Sequence, residues 1–518
     1  MGEKNSKTDP FLQIHSGQQE PSQPLSWAAL SHCWGGNTSF TLTSSTFASW
    51  QLAIPLSSMP QTFRDAVTVT RHLGLQHLWI DSLCIQQDSA ADWAYESARM
   101  ADIYRLSAVH LAAHTSRHSG DGFLKPRSPV SHVALPFASR RFGVSGQMLI
   151  RPALASWTSA LSSSKGSILS TRGWVLQESL LSPRTLHFGG EQMFWECPNA
   201  RLAEGDFAPA TVRDPDARDL DLGASKQAFI AMGTGIGGQS APMALTDQAR
   251  EVWYMRWYQI VGDYTNRNLG FPSDIFPALS GLAQTVGALM GDEYMAGLFR
   301  GDAHRGLLWR PGNGKSKATY SSSRADPWRA PSWSWASVMG PISFEIHPGE
   351  HKTKHLPGDD VSVVNVSLRS LHGSEVTGTS QGVYGALTSA TLEVEGLWRH
   401  GQSWRKVKKS AENDARWGLF AGRLLKVVLE AEFMFDVESD EFDPAQTRDW
   451  ALLRVSKWET SVPMCSFETL YALILRPVQG PLGEVLFRRA GLCQFEAFDE
   501  PLESVRRVKW ERKRVTLI

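Results

Sequence analysis

The chain reads as an α/β protein, with an N-terminal parallel sheet, a helical middle region and a β-rich C-terminal domain. Three observations predict this. Between residues 27 and 113, short continuous apolar runs alternate with amphipathic helical stretches, as in a parallel sheet covered on both faces. From about residue 247 the apolar residues fall at helical spacing. Beyond residue 360 the chain turns to short, alternating, β-branched runs, the mark of antiparallel pairing. At 518 residues it exceeds one ordinary core and calls for roughly two to four domains. The expected division is a disordered leader at 1–24, the parallel-sheet domain at 25–204, a mainly helical region with linkers at 205–340, and a β-rich domain at 341–518.

Residues 1–24 are rich in Gln, Ser, Pro and Lys and have little to bury. Residues 27–34 predict a buried strand, ended by the turn Gly35-Gly36-Asn37. A helix follows over 61–73, where Phe63, Ala66, Val67, Thr70 and Leu73 share a stripe. Thr62 and Asp65 resemble a capping box, and Gly74 supplies the stop. Residues 77–85 predict a second strand. Asp92 reads as the N-cap of a helix carrying Ala94, Ala98 and Ala101, and 108–113 as a third strand. Residues 115–168 are loop-rich, 171–181 helical, and 185–196 a hairpin. Residues 206–238 read as a linker or insertion and 311–326 as a mobile Gly/Ser/Lys-rich stretch, with helices at 247–264 and from 276. Strands are expected at 361–371, 390–397, 424–437, 450–455, 470–475, 485–495 and 506–518.

In parallel α/β sheets ligands bind outside the carboxyl ends of the strands. That rule places Ser31, His32 and Cys33, then Asp81 and Ser82, then His114 and Thr115 near one rim.

Composition excludes several classes. Lys+Arg and Asp+Glu are both 52, so no net charge steers the chain to nucleic acid or an anionic membrane. No apolar run reaches the length of a membrane span. The five cysteines form no CxxC pair, which fits a reducing compartment, and no signal peptide is read; the expected location is cytoplasmic. His110, His114 and His118 lie four apart but on a strand and its following loop, where that spacing does not converge, so no metal is expected. Cys33 and His32 are adjacent on a strand, point to opposite faces and cannot form a dyad. The 20 Trp read mainly as buried anchors.

Three separated blocks resemble the fungal heterokaryon-incompatibility (HET) domain. The first is Trp27-Ala28-Ala29-Leu30-Ser31-His32-Cys33-Trp34-Gly35. The second runs from Pro60-Gln61-Thr62-Phe63-Arg64-Asp65-Ala66 through Leu78-Trp79-Ile80-Asp81-Ser82-Leu83-Cys84-Ile85 to Met100-Ala101-Asp102-Ile103-Tyr104. The third is Thr171-Arg172-Gly173-Trp174-Val175-Leu176-Gln177-Glu178, continuing to Phe194-Trp195-Glu196-Cys197. Trp27 stands where the family commonly has Tyr. The resemblance implies a role in fungal non-self recognition, with the domain as effector of growth arrest and programmed cell death.

The HET domain is in turn remotely similar to the Toll/interleukin-1 receptor (TIR) domain, many members of which cleave NAD with a glutamate four residues after a Trp. Trp174 and Glu178 have that spacing, and on a helix such a pair shares one face. The resemblance implies Glu178 as the catalytic carboxylate, with Ser31, His32, Asp81, Arg172 and Trp174 as ligand-binding residues. NAD is then a substrate, with no resident cofactor. Self-assembly or a protein partner is expected. The alternative is a non-catalytic interaction module in which Trp174 is a core anchor and Arg172 or Arg184 merely pairs with Glu178.

Overall fold

The structure is a computed structural model. It describes residues 8–15, 25–36, 40–127, 132–152, 154, 156–161, 167–205, 226, 229, 245–312, 323–344, 352–355, 360–371, 375–376, 384–400, 404–407, 416–421, 426–437, 450–462, 465–498 and 510–518. The expected linker at 206–238 lies outside these, apart from Lys226 and Phe229, as do Asn37 and most of the stretch at 311–326. The chain divides into two units, Met1–Ser240 and Ala241–Ile518.

The first unit is built on a six-stranded sheet in the order β2-β1-β3-β6-β7-β8. Strands β1 (Trp27–Ser31), β2 (His77–Ile80), β3 (Val109–Ala113) and β6 (Thr185–Phe188) are parallel. Strands β7 (Met193–Cys197) and β8 (Ala200–Ala203) extend the sheet antiparallel. A hairpin of β4 (Val133–Ser139) and β5 (Val144–Ile150) forms a separate ribbon where a loop was expected; its side chains are almost all exposed, so no core pattern marks it in the sequence.

Period-two alternation sorts the residues of β1 and β3 onto two faces. Ala28, Leu30, Val109, Leu111 and Ala113 meet helix α2 (Gln61–His72; α1 is Ser44–Trp50) through Phe63, Ala66 and Val67. Fully burying Phe63 contributes about 1.5–3 kcal/mol. Ala29 turns to the opposite face, against Met100 and Tyr104 of the helix Ala90–Leu106. The two helices thus cover opposite sides, and β1 has β2 on one edge and β3 on the other. The carboxyl end of β1 is therefore the topological switch point of the sheet.

Four local expectations are corrected. The second strand ends at Ile80 rather than Ile85: Asp81–Cys84 is one helical turn (α3), at whose first residue the Asp81 carboxylate accepts from the Ser82 amide at 2.7 Å. The next helix, α4 (Ala90–Leu106), is capped by Ser89, which accepts from the Asp92 amide; the Asp92 carboxylate is spent on the Gln86 amide at 2.7 Å. Thr62 and Asp65 do not cap α2, which starts after Pro60. They bind the loop before β4, Thr62 accepting from the Gly122 amide and Asp65 from those of Phe123 and Leu124. Residues 8–15 are not without contacts: the Leu12 amide donates to Trp50, the Ile54 amide donates to Pro10, and Leu12 packs on the core.

In the second unit the helix Asp247–Thr265 buries Trp253, Tyr254, Trp257, Tyr258 and Tyr264. The indoles of Trp257 and Trp335 both donate to the Gly297 carbonyl, at 2.9 and 3.0 Å. Gly297 has φ +98°, and a Cβ there would lie 2.4 Å from the Trp335 indole nitrogen, so only glycine fits. The β-rich part is an eleven-stranded sheet. Within it the strands Leu387–His400, Ala451–Val462, Cys465–Gln479, Val485–Phe498 and Glu511–Leu517 pair in a closed ring. Arg489, fully buried, pairs with Asp436 at 3.0 Å, donates to the carbonyls of Leu307 and Trp309, and lies 3.6 Å from the centroid of the Trp309 ring.

Candidate functional site

The expected helix at 171–181 is two pieces. A 3-10 turn, Leu169–Thr171, is followed by extended backbone at Arg172, and then by α6 (Val175–Leu181; α5 is Trp157–Leu161). The break has a cause: the Arg172 guanidinium donates to the His32 carbonyl just past the end of β1. It fastens the start of α6 to the switch point. Arg172 makes no direct ion pair with Glu178 but lies close enough to favour its charged form.

Glu178 sits on the first turn of α6, 2 % exposed, and its carboxylate is hydrogen-bonded to the Ser31 hydroxyl. Ser31 follows Ala29 on the face of β1 that looks away from α2. Its hydroxyl is also 2.6 Å from Nε2 of His110 and 3.5 Å from the Tyr104 hydroxyl, which donates to the Leu30 carbonyl. Burial pushes the Glu178 carboxyl up to about 7, against the pull of Arg172 and Ser31. Burial also holds His110 well below its ordinary value, so the ring is neutral.

Trp174 immediately precedes α6 and packs beside Ala29, Met100 and Tyr104, edge-on to Trp93 at 6.4 Å. Trp174 and Glu178 thus approach the same tyrosine. Asp81 accepts from the Trp34 indole at 3.0 Å and lies 3.8 Å from Nδ1 of His32. His32 turns to the other face, edge-on to Phe63 at 4.9 Å, and neither ring nitrogen has a hydrogen-bond partner; burial lowers its pKa to about 4. Cys33 packs among Ala112, Leu169 and Val175, and burial raises its thiol pKa. The structure therefore gathers Ser31, Glu178, Trp174 and Arg172 around the end of β1, with Asp81 and His32 as a second, adjoining pair.

Four participants were not foreseen: Tyr104, His110, Thr185 and Lys226. All but Lys226 lie on the same sheet face or its covering helix. The Lys226 ammonium donates to the Thr185 hydroxyl at 2.8 Å and to Glu196 at 2.7 Å. Burial pushes the Glu196 carboxyl up, but Lys226, His187 and Arg201 outweigh it and hold it well below the usual range. The Thr185 hydroxyl lies 3.4 Å from Nδ1 of His110. When Glu178 is ionised the one proton of the Ser31 hydroxyl goes to it, so Ser31 accepts from Nε2 of His110, and Nδ1 of the neutral ring accepts from the Thr185 hydroxyl. Nε2 of His110 thus carries the ring hydrogen. The polar row crosses the sheet through β1, β3, β6 and β7, and only the register Ala29↔His110↔Thr185↔Glu196 could have revealed it. His114 belongs to a different contact, between Ser167 at 2.6 Å and His187 at 2.9 Å, and His118 pairs with Asp121.

Residues 27–178 match the family model described as Heterokaryon incompatibility protein (HET). This segment is a HET domain. Its boundaries run from the first residue of β1 to Glu178 itself. No curated protein and no solved structure matches the chain. The match associates the HET domain with heterokaryon incompatibility. A cavity of about 410 Å³ in the same unit is lined by Leu12, Trp27, Val67, Trp79 and Leu83, and by neither Ser31 nor Glu178. No helix among the described residues is long and apolar enough to cross a membrane.

Proposed function

We propose that this protein is a fungal effector of heterokaryon incompatibility that triggers cell death, and that its HET domain works as a TIR-like NAD glycohydrolase with Glu178 as the essential carboxylate. The supporting observation is the meeting of Ser31 and Glu178 at the carboxyl end of β1, with the carboxyl poised near neutral pH. Perturbed carboxyls at strand-end switch points are characteristic of functional sites. In the reaction the C1′–N bond to nicotinamide breaks and its electron pair leaves with the nicotinamide. Positive charge develops on the ribose, which an ionised Glu178 stabilises. Water adds to C1′, giving ADP-ribose, and its proton passes to Glu178 or solvent. The Ser31 hydroxyl orients the carboxylate, and Arg172 favours its charged form.

The test is nicotinamide release from NAD by the purified full chain, concentrated enough to self-assemble, with Glu178→Gln as control. Release by the wild type and its loss in the variant are expected. No release from folded, assembled protein overturns the enzymatic reading, and equal release from the variant removes Glu178 from its role. The burial of Glu178 favours a second reading, a non-catalytic interaction module acting in the cytoplasm through self-assembly or a protein partner. Under that reading Glu178→Gln leaves assembly, measured by analytical ultracentrifugation, unchanged, and NAD is not consumed.

A further inference from the structure

The second unit holds a cavity of about 320 Å³ between the end of the helix Asp247–Thr265, the turn at Pro272 and the segment 329–341. That volume is at the low end of small-molecule sites, which run from about 300 to 1,000 Å³. Its wall combines Arg329, Arg267 and Asn268 with the apolar surfaces of Pro272, Trp335 and Met339, and includes no aspartate or glutamate.

Arg329 is the unusual member. It is 9 % exposed, and its guanidinium donates to the carbonyls of Ala336 at 2.8 Å and Val338 at 2.9 Å. Among the described residues no carboxylate pairs with it. Two other buried arginines of the same unit are neutralised: Arg489 by Asp436, and Arg305 by Asp302 at 2.7 Å. Arg267 on the same wall is occupied by Asp263 at 2.7 Å. Burial alone lowers the Arg329 pKa, opposed only by the Tyr264 hydroxyl. A buried guanidinium is costly without a counter-charge, and two carbonyl dipoles hold its plane without supplying one. The planar fork matches the oxygens of a carboxylate or a phosphate.

We propose that this cavity binds a small organic anion, its acid group paired with Arg329 and its flat apolar body along Pro272, Trp335 and Met339. The site is independent of Glu178 and of the reading given to the HET domain.

Isothermal titration of the full chain with phenyl phosphate, benzoate and benzamide tests it. One or both acids bind saturably, and the arm that binds more tightly tells phosphate from carboxylate. Benzamide, neutral and of similar shape, binds at least tenfold more weakly. Arg329→Gln abolishes binding of the acids. Because that variant also loses two carbonyl contacts, Asn268→Trp, at an exposed position on the rim, serves as a folded control that blocks the cavity and also abolishes binding. Absence of saturable binding by either acid overturns the proposal. Equal binding of benzamide, or acid binding that survives Asn268→Trp, overturns it as well.

Discussion

The Ser31 hydroxyl and the Glu178 carboxylate, 147 positions apart in sequence, share a hydrogen bond in the interior of the HET domain. The serine is held by the central strand of the sheet and the glutamate by a short helix tied to that strand's end through Arg172. Both are linked to Lys226 through His110 and Thr185.

Ser31→Ala removes the hydroxyl that hydrogen-bonds both Glu178 and His110. Two buried polar groups then lose a partner, at a cost of about 1–3 kcal/mol. Urea denaturation of the wild type and variant measures this directly. A variant as stable as the wild type would show the hydroxyl to be idle.

Glu178→Gln has a pH signature. The folded carboxyl titrates near 7, above its ordinary value of 4.5, so between those values the folded state binds more protons than the unfolded one. Stability contributed by Glu178 is full below about pH 4.5, falls as pH rises, and is gone above about 7. The Gln variant lacks this term. Its stability relative to wild type therefore rises across that window, by a few kcal/mol, and is flat outside it. Thermal melts from pH 4 to 8 read the difference; a constant offset would place Glu178 in a water-like environment.

Gly35 and Gly36 both have positive φ, at 69° and 74°, but their surroundings differ. A Cβ on Gly36 meets nothing within 4 Å, whereas one on Gly35 would lie 2.0 Å from Cβ of His118. Gly36→Ala should cost about 1–2 kcal/mol, the penalty of left-handed backbone alone. Gly35→Ala should cost clearly more, because the His118 loop must move. Equal losses in denaturant midpoint would contradict the close approach.

Arg489→Met leaves Asp436 buried with a diminished counter-charge and frees the carbonyls of Leu307 and Trp309. Breaking such a pair costs about 3–5 kcal/mol. The loss should appear as a lowered denaturant midpoint for the second unit, and Arg489→Lys, which keeps charge but not the fork, should recover only part of it.

Much of the sheet was legible because its strands are continuous apolar runs and its helices carry clear stripes. Phe63, Ala66 and Val67 announced α2, and Ser31 lies at the end of the first strand. What stayed hidden depended on register and on polar groups spent locally. Nothing in the spacing of Ser31, His110 and Thr185 says that they meet, since a shift of two residues in one strand would separate them. Asp65 and Asp92 looked like helix caps because a carboxylate near a helix start usually is one; here loop amides compete for them. The break at Arg172 was unreadable because its cause, the carbonyl of His32, lies 140 positions away.

The register of β1 also fixes an order of assembly. β1 is first along the chain, yet it pairs with both β2 and β3, and the serine at its end is completed only by His110 and Glu178. On the ribosome, where residues emerge over many seconds, the strand made earliest waits for the glutamate made last. No truncated or half-synthesised HET domain ending before residue 178 carries the Ser31–Glu178 hydrogen bond, so the two ends of the domain are joined at this centre only once the domain is whole.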